Sequence, residues 1–367
     1  MTSNRKPTYS RFKEKFRHLV GDGTYSFLAY GVRKSRKNWN QVKSFFSQLR
    51  ELSYLSRQSY PPDHDDYKFY NRYYELSEKD NLDKDFKTGI ICMFDGRAYH
   101  GGITDRLRGI LSTYQFAKKK GWPFYINFTS PFLLEKYLEP NSFDWRIKPD
   151  NISYSKTISF PFIIEDEPDL YSSLRMKIGL KLSKPQIHVY SNADTGRGQY
   201  KLLFNELFRP TAKLKSQVDY HLSCLGSHYE GFTFRFLQLL GDFKDWLQVT
   251  LTEKEAVDLM HRVGEEFKKL TAHIGNNEKI LVTSDSKRFL NYISSIDSRV
   301  YVVPGEVKNI DLLKGEYEEA WLKTFIDQQL LMHASKVTLV RTGQMYKSGF
   351  PRFAAEIGGV DFKDHKF

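Results

Sequence analysis

Four short stretches of the sequence carry residue types suited to holding an anion. The run KVTLV leads into RTGQMYKSGF and then PRFAAEIGG, which gathers hydroxyls at Thr342 and Ser348, glycines at 343 and 349, and Pro351 at a first helical position. A proline there loses nothing, because the first N–H groups of a helix are unpaired anyway. Those N–H groups and the positive end of the helix dipole favour a diphosphate, with Thr342, Ser348 and Gly349 as its contacts; an ordinary capped loop has the same composition. After KILVTS, Ser284 and Asp285 precede SKRFLNYI. One of them can cap that helix while the other accepts from a base amine or a ribose hydroxyl, although capping alone accounts for both. In HGGITDRLRG, Gly101 and Gly102 allow close backbone approach, Thr104 can serve as N-cap, and Asp105, Arg106 and Arg108 fall in the first turn. Arginine opposes the dipole there and wants an anionic partner, either a ligand or Asp105. Finally, YEGFTFRF sets Arg235 between Phe234 and Phe236 in an apolar strand. A guanidinium in such a run needs a partner, which a phosphate held bidentately or a structural carboxylate would supply.

The elements around these stretches alternate. TGIICMF reads as a strand, DRLRGILSTYQFAKKKG as a helix and WPFYINF as a strand, a βαβ unit that implies a parallel sheet. The second half repeats the pattern: strand YEGFTFRF, helix TEKEAVDLMHRVGEEFKKLTAHIG capped by Thr252 and ended at Gly275, strand KILVTS, helix SKRFLNYI, strand RVYVV, helix YEEAWLKTFIDQQLLMHAS, strand KVTLV and helix PRFAAEIGG. The expected class is α/β, divided into an arm and connecting segment over 1–85, a first Rossmann-like domain over 86–215 and a second over 216–367. In open parallel sheets ligands lie beyond the carboxyl ends of the strands, where three of the four stretches fall, and Arg235, near the end of its own strand, would reach the same cleft.

These residues resemble a family. GGITDRLRGILSTYQFAKKKGWPFYINF is similar to the N-terminal signature of GDP-fucose-dependent fucosyltransferases, the group of the nodulation, plant xyloglucan and protein O-fucosyltransferases. GFTFR is similar to their Gly-apolar-His-apolar-Arg segment, and SKVTLVRTGQMYKSGFPRFAAEIGG to their last motif, whose helix opens with an arginine, here Arg352. Thr233 stands where histidine is usual and Phe236 where a second arginine is common. The resemblance spans about residues 88–140 and 229–360. It implies a GT-B fold, two Rossmann-like domains facing a cleft, the first on the acceptor side and the second on the donor side. It further implies transfer of fucose from GDP-fucose to a glycan or lipid-linked glycan, as in cell-surface polysaccharide synthesis, with inversion and without a metal or other cofactor. Arg235 is then the donor β-phosphate contact. Asp105 and His100 are candidates for moving the acceptor proton, with Asp95 and Asp242 as further ones. Gly101, Gly102, Arg106, Ser284, Asp285, Thr342, Ser348, Gly349 and Arg352 are donor-binding candidates.

The chain of 367 residues has a net charge of +12, but residues 1–50 alone hold twelve Lys or Arg against Glu14 and Asp22. The body is almost neutral, which disfavours nucleic acid as the partner of the whole chain. In the arm, Phe12, Phe16, Leu19, Phe27, Leu28 and Tyr30 are mixed with the cations, a combination that suits an anionic membrane surface as well as a solvated tail. No run of apolar residues reaches a bilayer-spanning length, no secretory signal opens the chain, and Cys92 and Cys224 make no disulfide framework. The expected location is cytoplasmic, peripheral on the inner face of the membrane if the arm binds there. Two rival functions stand beside the transferase: a nucleotide- or sugar-binding protein without catalysis, and a basic-arm nucleic-acid binder.

Overall fold

The structure is a computed structural model that describes residues 69, 72–75, 88–98, 100–164, 185–192, 194, 198–245, 249–310 and 317–367. The basic arm and the helical pattern after it lie outside the described residues. Residues 72–367 form one compact unit.

Two parallel sheets organise this unit, as the α/β reading expects. The first has the order β2-β1-β5-β4, from β1 (Gly89–Phe94), β2 (Phe124–Phe128), β4 (Ser159–Ile164) and β5 (Gln186–Ser191). The second has the order β11-β10-β7-β8-β9, from β7 (Glu230–Phe234), β8 (Ile280–Ser284), β9 (Val300–Tyr301), β10 (Lys336–Arg341) and β11 (Asp361–Lys366). Between them in sequence, β3 (Leu138–Pro140) and β6 (Phe208–Pro210) pair antiparallel. Strands β1, β5 and β8 are buried throughout, and β1, GIICMF, accordingly reads as an unbroken apolar run.

Seven α-helices flank the sheets among the described residues: α1 (Ile103–Lys120), α2 (Tyr200–Leu207), α3 (Ala212–Leu225), α4 (Glu253–Leu270), α5 (Lys287–Ile296), α6 (Glu318–His333) and α7 (Phe350–Gly358). Residue 215 lies within α3. Thr252 caps α4 with a reciprocal bond to Glu255, but the helix stops at Leu270 rather than Gly275, where Thr271 turns its hydroxyl back onto the Phe267 carbonyl. Helix α1 is capped by Gly102, with Asp105 closing the turn onto the Gly102 N–H at 3.2 Å; Thr104 is inside the helix. Pro351 is the second residue of α7, not the first. The core of the second sheet is built from Phe232, Phe234 and Phe236 against Leu259, Val263 and Phe267 of α4 and Phe289 and Ile293 of α5. No helix among the described residues is long and apolar enough to cross a membrane.

Candidate functional site

In the second sheet the chain runs from β7 outward through β8 to β9, then returns to place β10 on the other side of β7. The strand order therefore reverses between β7 and β10, and a crevice opens beyond their carboxyl ends. A cavity of about 540 Å³ lies there. Its walls come from the ends of β7 and β8, the loop after β10 with the start of α7, helix α6 and, from the first half of the unit, the start of α1 with Phe132.

Arg235 is the residue after β7, one step beyond the strand. Its two terminal nitrogens stand 3.4 Å from Asp245 and 3.3 Å from Asp285, and its guanidinium lies 4.6 Å above the Phe243 ring. Of the two alternatives open from the sequence, the structural carboxylates are present, and Arg235 also lines the cavity. Asp285 is wholly buried and accepts from two consecutive backbone N–H groups, Phe236 at 2.9 Å and Leu237 at 2.7 Å. This grip holds Leu237 at φ +54°, a conformation that costs a non-glycine residue about 1–3 kcal/mol. Burial raises the Asp285 carboxyl above its ordinary range, and the Arg235 charge opposes that shift. Ser286, not Ser284 or Asp285, caps α5, accepting from the Phe289 N–H at 3.0 Å. Beside them, the Thr233 and Thr283 hydroxyls are bonded to each other at 2.8 Å on the cavity wall.

Opposite, Ser348 accepts from the Phe350 N–H at 3.2 Å, and Gly349 begins α7. A Cβ on Gly349 would sit 3.8 Å from both terminal nitrogens of Arg108. Arg108 is held by Asp105 and by Asp194 at 3.4 Å, while its buried Nε has no hydrogen-bond partner among the described residues. A guanidinium from the first half and a helix N-terminus from the second therefore meet on one cavity wall. An anion placed between them would be stabilised by both.

Of the sequence-predicted residues, Gly102, Asp105, Arg235, Ser284, Asp285, Ser348 and Gly349 line this cavity. Gly101, His100, Arg106, Thr342 and Arg352 do not. Arg106 is buried, donating to the Gly101 carbonyl at 2.9 Å and the Ser130 carbonyl at 2.7 Å, so it fastens loops of the first half. His100 accepts from the Gly96 N–H, stacks on Tyr190 and is pushed down to about 3 by burial, aided by the Arg106 charge. Thr342 accepts from the Gln344 N–H within its own turn, and the Arg352 guanidinium lies 5.1 Å above the Phe362 ring. Asp95 is bonded by Tyr190 and Arg97, and Asp242 accepts from the Ser286 hydroxyl and the Arg288 N–H at the start of α5. Arg108, Asp245, Lys308, Asp327 and Lys347 are further charged groups of the wall outside the predicted site residues; Asp327 is buried on α6, where a carboxylate needs a partner. Among the described residues no group of three or more His, Cys, Asp or Glu is arranged to hold a metal ion.

No family model and no curated protein matches the sequence. Among solved structures, a point variant of Arabidopsis thaliana FUT1 in complex with GDP is 12% identical, with 86% of this chain and 78% of that one covered at a TM-score of 0.49. NodZ α-1,6-fucosyltransferase of Bradyrhizobium, soaked with GDP-fucose, is 16% identical, with 74% and 93% covered at 0.48. POFUT1 in complex with GDP is 11% identical, with 78% and 99% covered at 0.45.

Proposed function

We propose that the cavity binds a nucleoside-diphosphate sugar and that the protein is an inverting, metal-independent glycosyltransferase that uses GDP-fucose. The half built on the second sheet holds the donor, and the first half approaches with the acceptor. The observation that carries this reading is the meeting of Arg235, Arg108 and the N-terminus of α7 on one cavity at the strand-order reversal. Glycosyl transfer breaks the bond between the anomeric carbon and the diphosphate, which leaves with the electron pair, while an acceptor hydroxyl attacks from the opposite face and gives up its proton. Negative charge grows on the β-phosphate, and preorganised donors aimed at it lower the barrier. Arg235 and the Gly349 end of α7 take that role, with Arg108 beside them. Of the groups proposed to receive the proton, Asp105 lines the cavity, and its carboxylate is partly exposed. The buried, neutral His100 does not reach it.

The structure shapes the choice of variant. Arg235→Ala would strand the buried Asp285 charge, a loss of about 3–5 kcal/mol that would confound any activity measurement. Arg235→Lys keeps a cation beside Asp285 but removes the fork that grips a phosphate. Turnover of GDP-fucose should fall about 10²–10³-fold in Arg235→Lys with little change in melting temperature. Wild-type turnover in that variant ends the assignment. GDP should stabilise the wild type more than UDP at equal concentration, and EDTA should leave activity unchanged. The arm over 1–50 is proposed as a contact with anionic membrane, read from its sequence.

A further inference from the structure

Helix α6 carries an ion pair inside the protein. Lys323 and Asp327, one turn apart, are only 2% and 4% exposed in their side chains, with Nζ 2.8 Å from Asp327 Oδ2. The loop before α6 lies directly on the lysine stem: Gly305 has φ +112°, and a Cβ there would approach Lys323 Cδ to 3.2 Å. Asp327 lines the cavity, and its second oxygen, Oδ1, is buried with no hydrogen-bond partner among the described residues. Removing an ammonium from water costs several kcal/mol, and an apolar residue would fill the same space at lower cost. Packing therefore does not explain Lys323.

We propose, resting on the nucleotide-sugar reading of the cavity, that Lys323 is a positioning residue: it fixes one oxygen of Asp327 and so presents the other to the ligand as an acceptor. The cavity then selects ligands that offer hydrogen-bond donors at that point, as a guanine edge does with its ring N–H and amine. An ionised carboxylate only accepts, whereas a protonated one also donates. Burial pushes the Asp327 carboxyl up and Lys323 opposes it. Without the ammonium, the carboxyl holds its proton to higher pH and the polarity of that wall reverses. His221 of α3, whose imidazole is pushed down by burial and by the Lys323 charge, is next to the pair, and the cavity that Asp327 lines also carries Asp105, Arg108, Arg235, Asp245, Asp285, Lys308 and Lys347. Removing Lys323 leaves them in place.

The test measures GDP and inosine diphosphate binding by calorimetry from pH 6 to 8 in the full chain, for wild type, Lys323→Met and Asp327→Asn. GDP affinity in the wild type should change with pH only through the nucleotide's own terminal phosphate, which titrates at about pH 6. In Lys323→Met it should fall at least tenfold at pH 6 and recover as the pH rises. In Asp327→Asn it should be weak throughout. Preference for GDP over the inosine analogue, which lacks the amine, should shrink in both variants. If Lys323→Met does not fold, Lys323→Gln keeps a donor to Oδ2 without the charge. Carbon NMR of the Asp327 carboxyl in ligand-free protein gives a second readout, with titration at higher pH in the lysine variant than in wild type. Identical titration, or a folded variant with wild-type affinity at every pH, overturns the role of Lys323. Absence of any nucleotide binding to wild type overturns the nucleotide-sugar reading instead, and the carboxyl titration still decides the positioning.

Discussion

His188 shows what a single buried group does to this protein. It lies on β5 with no exposed surface, bonded to the Tyr73 hydroxyl on one ring nitrogen and to Gln186 at 3.1 Å on the other. Burial, aided by the Arg97 charge, pushes its imidazole down to about 3. The folded protein keeps this ring neutral while the unfolded chain protonates it below its ordinary value of 6.5. The stability it permits is complete above that value and is lost as the pH falls toward 3. The loss runs at about 1.4 kcal/mol per pH unit, or about 2 kcal/mol by pH 5. Urea unfolding at pH 7 and pH 5 should therefore show a drop about 2 kcal/mol larger in wild type than in His188→Gln. Equal drops would mean that the ring takes up its proton without unfolding. At this scale the candidate site was partly legible. Arg235 stood out as a charge in an apolar run, and Asp285 as a carboxylate at a strand end. Arg106 and Arg108 were not told apart, although helical spacing does so: Arg106 falls between Ile103 and Ile110 on the buried face, and Arg108 lies off it. The Leu237 conformation could not be read, because it depends on Asp285 arriving from 48 residues away.

Helix α1 brings Asp105 and Arg108 to the cavity, and it reaches that position by close contact with the first sheet. A Cβ on Gly109 would meet the Ser191 carbonyl oxygen at 1.8 Å, so backbone, not a flexible side chain, stands in the way. Helix propensity alone makes Gly→Ala favourable by about 1 kcal/mol. Overpacking of this kind costs about 1–3 kcal/mol or more, so the clash outweighs the propensity. Gly109→Ala should lower the denaturant midpoint and weaken GDP binding, because α1 must lift away from β5. A stabilised Gly109→Ala would show that the helix is not in contact there. The elements with strong period and clear ends were those visible in the sequence, among them β1, β2, β8, β10, α4 and α7. Strands β4, β5 and β11 were not. Pro161 sits within β4, His188 within β5, and β11 reads DFKDHK, an edge strand whose charges replace the apolar pattern. Strand β9 is only Val300–Tyr301, shorter than RVYVV suggests.

An aromatic seam joins the two halves of the unit beside the cavity. Phe132, after β2, lies 5.5 Å from Trp321 and 5.9 Å from Phe325, and Tyr137 stacks on Phe325 at 4.7 Å. Tyr200 of α2 likewise meets Phe353 of α7 at 5.4 Å. The sheets are separate, but α6 and α7 bury side chains against residues of the first half, so neither half keeps its surface covered alone. That arrangement predicts one shared unfolding transition for residues 72–367, visible at the same denaturant concentration from fluorine-labelled Trp145 of the first half and Trp321 of the second. Phe325→Ala should cost about 3–5 kcal/mol and shift both signals together. GDP at a hundred times its dissociation constant should add about 2.7 kcal/mol to both, since the cavity proposed to bind it has walls from each half. Two separated midpoints in wild type would contradict this coupling. A ligand shift confined to the Trp321 signal would place the nucleotide on the second half alone and leave Arg108 without a role in holding it.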